Sequence, residues 1–191
     1  MRNWKLNLIE PTVVLSLIAL GVAGRLLWHP QNMAPIAAAA LFAGFFLRSR
    51  LVALAVPLLT MAISDLFLEA YNVKIQAAVY AGMCLPVLLA VLLRKEISVP
   101  RLVACTLAGS VAFFFLSNGA EWMWGRLYSH DWEGLQLCFT LAIPFFRSSV
   151  LGDLIWTSVL FGVHGLVMNR LAITPPDFGT FDKPVPVRVR K

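Results

Sequence analysis

The stretch "IPFFRSSVLGDLIW", residues 143–156, sets Arg147, two serines and Asp153 between two apolar runs. Its reading decides the fold. In a soluble chain such a stretch is an ordinary connection. In a membrane chain each charge must be given a depth, because an ionisable group that faces acyl chains is costly.

Composition settles which case applies. The 191 residues are enough for one domain. They are 59% hydrophobic and 14% charged, with a mean hydropathy of +0.77, against roughly 25% charged residues in soluble domains. The deficit is spread along the chain, which points to a polytopic membrane protein. The net charge of +6 is therefore read by position rather than as a nucleic-acid footprint, and no nucleic-acid partner is expected. Cys84, Cys105 and Cys138 show no CxxC and no metal-site spacing. No HExxH, Walker A, nucleophile elbow or dinucleotide fingerprint occurs. The basic start and first apolar run have no convincing cleavage site before Arg25 and read as a retained first helix.

A spanning helix needs about 20 mostly apolar residues. Outward from the opening stretch, apolar runs predict six helices near 10–28, 33–48, 51–68, 74–93, 101–119 and 149–169. Between the fifth and sixth, residues 135–146 are apolar but too short to cross, and Pro144 reads as their end, so a re-entrant or interfacial segment is expected there. The division is a six-helix transmembrane domain over 1–170 and a basic, proline-rich cytoplasmic tail over 171–191. Six spans with both termini inside place twelve cations on the inner side (Arg2, Lys5, Arg48, Arg50, Arg94, Lys95, Arg101, Arg170, Lys183, Arg188, Arg190 and Lys191). Four remain outside (Arg25, Lys74, Arg126 and Arg147). That bias predicts a multi-pass protein of the cytoplasmic membrane with both ends cytoplasmic.

On this layout Asp65, Asp153, Asn32 and Asn118 lie near the outer face, with Glu69, Tyr71, Glu121 and Trp122 in the outer loops. Asp65 is expected near a helix C-terminus, where the dipole disfavours it, so it needs Arg25, Arg147 or a ligand. Asp153 falls in the first turn of the sixth helix, as a site residue or as a dipole partner near an N-cap at Ser148 or Ser149. Trp122, Trp124, Tyr128 and Trp132 read as an interfacial belt or a lid, and Phe145–Phe146 suits a lid that dips into the bundle. Cys84, near the midplane, is either a small apolar packer or a soft ligand for a metal-containing substrate. His164 reads as a core histidine or a proton relay. Ala19 and Ala23, four apart on the first helix, allow close approach of another helix.

Four motifs carry a resemblance: "NMAPIAAAALFAGFFL" (32–47), "LLTMAISDLFL" (58–68), "FFFLSNGAEW" (113–122) and "IPFFRSSVLGDLIWTSVLFG" (143–162). In this order they resemble an uncharacterised bacterial membrane family, known by a domain-of-unknown-function label, over most of residues 30–165. The layout is also similar to the S components of energy-coupling-factor vitamin transporters, and within them to the solitary cobalamin transporters of the BtuM group. That resemblance implies a compact six-helix bundle with an outward-facing cavity. It implies Ala19 and Ala23 as a docking face for a transmembrane coupling subunit with ATPases, and Cys84 as the thiolate on the cobalt of bound cobalamin. No intrinsic cofactor is expected.

The expected function is a membrane substrate-binding and uptake protein for a vitamin-like small molecule, without enzyme activity of its own. Asn32, Asp65, Tyr71, Cys84, Asn118, Trp122, Phe145, Phe146 and Asp153 are the candidate ligand residues. The alternatives are an enzyme acting on a lipid-linked substrate and a structural membrane subunit.

Overall fold

A computed structural model describes residues 3–27, 32–69 and 72–171 of the chain. Their regular structure is helical throughout: α1 (Asn3–Leu26), α2 (Ile36–Phe46), α3 (Arg50–Asp65), α4 (Val73–Leu89), α5 (Val91–Lys95), α6 (Val99–Trp124) and α7 (Trp132–Leu171). α5 continues α4 beyond a bend at Ala90, where Ala90 N–H still reaches Pro86 O (3.0 Å) and Arg94 N–H reaches Ala90 O (3.2 Å). Six helical units result, as the apolar runs predict. Four are long and apolar enough to cross a membrane: Ile9–Leu26, Val73–Lys95, Val99–Trp124 and Trp132–Asn169. Much of their leucine, valine and phenylalanine surface is exposed, Leu15, Leu88, Phe115 and Leu166 among it. In water such a surface would associate, so these helices mark a multi-pass membrane protein.

The helix starts have local causes. Ser49 accepts from Val52 N–H (3.4 Å) and Asn72 from Lys74 N–H (2.9 Å), each as an N-cap. Pro100 opens α6, where its missing N–H costs nothing. The Asp131 carboxylate caps α7, accepting from Gly134 N–H (2.7 Å) and Ser129 O–H (2.8 Å). Those bonds, Gly134's first, hold its carboxyl below the usual carboxylate range. A lowered value means the cap acts at neutral pH and is lost as pH falls through the folded-state value. Asp131→Ala is expected to fray only the first turn of α7, seen as faster amide exchange over residues 132–135.

The 11-residue α2 is the hub. Among the described residues it packs on every other helix. Its small side chains permit this: Ala38, Ala39, Ala40 and Ala43 are buried, and Gly44 lies against the backbone of Val87 in α4. Around α2 stand α1, α3, α4–α5, α6 and α7, each packed on the next. The series does not close, because among the described residues α1 packs only on α2 and α3, and α7 only on α2 and α6.

Cross-bundle contacts fix which ends lie together. Arg25–Asp65 and Asn72–Trp124 tie the α1–α2, α3–α4 and α6–α7 connections to one end. Glu10–Arg48, and the bonds from Arg94 to Gly44 O and Leu47 O, gather the other end. Arg94 thereby caps the C-terminus of α2, where a cation is favoured.

The opening stretch departs from the expectation. Residues 135–146 form no separate re-entrant or interfacial piece; they belong to α7, 40 residues long, which runs through Pro144. The missing proline N–H removes one intrahelical bond, and membrane helices tolerate that loss. Ser148 and Ser149 are not N-caps: their hydroxyls point back to Pro144 O (3.5 Å) and Phe145 O (3.1 Å). The 171–191 tail lies outside the described residues except Leu171.

Candidate functional site: a cavity over the start of the central helix

α2 is only about 16 Å long, while its neighbours continue past its first turn. The space above that turn is a cavity of about 510 Å³. Its floor is Asn32, Ala34, Ile36 and Ala37. Its wall runs from Arg25 (α1) and Met61 (α3) through Val79, Gly82, Met83 and Pro86 (α4) and Gly109 and Phe113 (α6) to Phe145, Ser149 and Asp153 (α7). A mostly apolar hollow with a few convergent polar groups is the usual form of a small-molecule site.

The floor is held by close contacts. A Cβ on Gly24 would come 2.3 Å from Pro35 Cδ, and one on Gly152 would come 2.8 Å from Met33 Cα. Trp156 Nε1–H donates to Met33 O (2.9 Å). Asn32 sits at φ 61°, a left-handed conformation that asparagine accepts better than most residues. No side chain caps α2 at Pro35, so the positive end of its dipole meets the cavity while Arg94 holds the other end.

The two aspartates have opposite surroundings. Asp65 is saturated: it accepts from Arg25 Nη1 (2.5 Å), Gln76 Nε2 (2.8 Å) and Tyr80 O–H (2.6 Å). Arg25 also donates to Ser64 Oγ (2.8 Å), so the Ser64–Asp65 pair latches α3 to α1 and α4. Asp153, 9% exposed, receives one bond, from Ser110 O–H (2.6 Å). No cation among the described residues stands within ion-pair distance of it. Nor is it in a first turn near the surface. It lies 21 residues past Trp132 and meets Ser110, near the middle of α6. The expected depth fails because the helix does not begin after Pro144.

The sequence-predicted residues divide accordingly. Asn32, Phe145 and Asp153 line the cavity, and Asp65 lies behind the lining Arg25. Cys84 is not in the wall, although its neighbour Met83 is. Phe146 packs on Phe114, ring centroids 4.7 Å apart. Asn118 Nδ2 donates to Phe114 O (2.8 Å), and Asn118 O accepts from Cys138 Sγ (3.5 Å). Trp122 Nε1 donates to Ser129 O (3.0 Å), bracing the α6–α7 connection. Tyr71 lies outside the described residues.

Ala19 is exposed and Ala23 half-buried. The close approach of α1 is made on another face, where a Cβ on Gly21 would come 2.6 Å from Thr60 Cγ2. His164 is ringed by Phe42, Phe45 and Phe46 at 5.7 Å each. Sequence reasoning missed Arg25 as a wall residue and Ser110 as the partner of Asp153. The i to i+4 step from Thr106 to Ser110, on one face of an otherwise apolar helix, was the available signal for Ser110.

These features sit on a chain that belongs to a described class. The family described as "Family of unknown function (DUF6580)" matches residues 5–176, nearly the whole chain, and the protein is a member of it. No curated protein and no solved structure matches the chain. Residues of the motifs read from the sequence meet in space: Asn32 and Pro35 lie with Gly152 and Asp153 around the cavity floor, and Ser64 and Asp65 close its α1–α3 side.

Proposed function

We propose that this protein binds a vitamin-like small molecule in the cavity above α2 and serves its uptake across the cytoplasmic membrane, with the cavity open to the outside and both termini inside. The observation that carries the reading is Asp153, a buried carboxylate with one hydroxyl partner in the wall of a ligand-sized hollow. Burying an ionisable group with no cation beside it among the described residues is a cost, and such residues mark substrate or ion sites in membrane proteins. Two further features support it. A half-length helix whose uncapped start faces a cavity is a device of membrane transporters. Arg25, Lys74 and Arg126 lie at the cavity end, while Arg48, Arg50, Arg94, Lys95 and Arg101 lie at the other, a bias in the direction expected if the cavity end faces out.

Within this reading the S-component likeness supplies the coupling partner, with the outward Ala19–Ala23 face of α1 as its docking side. Cobalamin is the less favoured ligand, since Cys84 stands outside the wall. A corrinoid ligand would give a red preparation whose spectrum changes in Cys84→Ala.

The test is native mass spectrometry of protein extracted with its lipids. The wild type is expected to carry a small molecule. Asp153→Ala is expected to lower its retention about ten- to hundredfold, the worth of a hydrogen bond to a charged group. A wild type that carries nothing in any lipid, or an Asp153→Ala variant that carries the same load, would remove the cavity from the argument.

A further inference from the structure

We infer that Asp153 is a proton-binding site, and that a proton taken up there accompanies movement of the cavity's contents; the second part rests on the uptake reading, the first does not. The geometry provides for both protonation states. Ser110 Oγ lies 2.6 Å from Asp153 Oδ2 and 3.1 Å from Thr106 O. A serine hydroxyl has a single hydrogen, so it serves one of these acceptors at a time. When Asp153 is ionised, Ser110 O–H donates to the carboxylate. When Asp153 is neutral, its own O–H donates to Ser110 Oγ, and the serine hydrogen turns to Thr106 O. Neither state leaves a buried donor without an acceptor. Taking up the proton forms one O–H bond on the carboxyl and consumes one proton from water in the cavity.

Beneath the pair, Thr106 Oγ1 lies 3.4 Å from Thr157 Oγ1, one turn below Asp153 on α7. The buried polar line Asp153, Ser110, Thr106 and Thr157 runs from the cavity wall into the α6–α7 interface. Among the described residues no cation stands within ion-pair distance of Asp153. α2 carries no titratable side chain, and α6 offers only Cys105 between Arg101 and Glu121. On α7 itself Arg147 is exposed and His164 is enclosed by phenyl rings. Across the cavity Arg25 is engaged with Asp65, as is Tyr80 of α4, while Cys84 is outside the wall. Asp65, with three donors including a guanidinium, has no use for a proton.

The experiment is pH-difference infrared spectroscopy of the full chain in lipid vesicles, with no ligand added. The acid-minus-alkaline spectrum of the wild type is expected to contain a protonated-carboxyl C=O band that Asp153→Asn abolishes and Asp65→Asn leaves in place. Ser110→Ala is expected to shift its midpoint. Labelling with dicyclohexylcarbodiimide, which attacks neutral carboxyls, should map to Asp153 and fall about tenfold per pH unit above that midpoint. A spectrum without such a band, or a band that persists in Asp153→Asn, overturns the proposal. A band with no small molecule retained in mass spectrometry would keep the proton site and discard the uptake reading.

Discussion

Gly44→Val is expected to lower the unfolding midpoint by straining the bundle at its centre. A Cβ at residue 44 would lie 2.6 Å from Val87 O, 2.8 Å from Val87 Cα and 2.8 Å from Ala90 Cβ. Two of these are backbone atoms, which cannot rotate away. Overpacking costs about 1–3 kcal/mol, occasionally more, and the branched valine belongs at the upper end because α2 is the helix every other one packs on. Gly44→Ala should cost less, since alanine regains about 1 kcal/mol of helix propensity over glycine. Gly162→Ala, with nothing within 4 Å of its Cβ, is the control and should be neutral or slightly stabilising. Thermal unfolding followed by helical circular dichroism reads all three. A Gly44→Val midpoint equal to wild type would mean that α2 and α4 do not touch there.

Arg25→Ala is the second large loss. It leaves Asp65 with Gln76 and Tyr80 but no cation, and releases Ser64. The two side chains are only 19% and 12% exposed, so water replaces the lost partner poorly. A hydrogen bond to a charged group is worth about 1.5–3 kcal/mol, and the unfolding midpoint should fall accordingly. Arg25→Ala combined with Asp65→Asn should cost less than the sum of the two, because the second change removes the charge the first has stranded. Strict additivity would show that the pair is not formed in the membrane.

The six helical segments were legible because each is an apolar run closed by charges or a turn residue, as at Arg48-Ser49-Arg50 and Asn72. The joint at Pro144 was not. Pro144, with Arg147-Ser148-Ser149 soon after it, reads as a break in any linear scan, whereas one lost bond is a small loss to a helix of 40 residues. That single difference moved Asp153 from the first turn of a helix to a point well inside α7, opposite the middle of α6. It also separates the two acids: Asp65 takes Arg25, one of the partners its position called for, and Asp153, weighed as a site residue or a dipole partner, is the one that lines the cavity. Pairings such as Ser110 with Asp153 join residues 43 apart, and no local pattern encodes them. The short alanine-rich segment was visible as short. Its place at the hub follows only from how small side chains let five neighbours crowd one axis.

The unclosed series of helices has a practical corollary. With α1 and α7 not packed on each other among the described residues, the hollow is flanked by a seam that solvent-extracted protein presents to surfactant. A detergent tail that slips through that seam would compete for the hollow with any molecule bound there. Discs cut from the membrane by amphipathic polymer, which keep the annular lipid in place, are therefore the preparation in which to look for one.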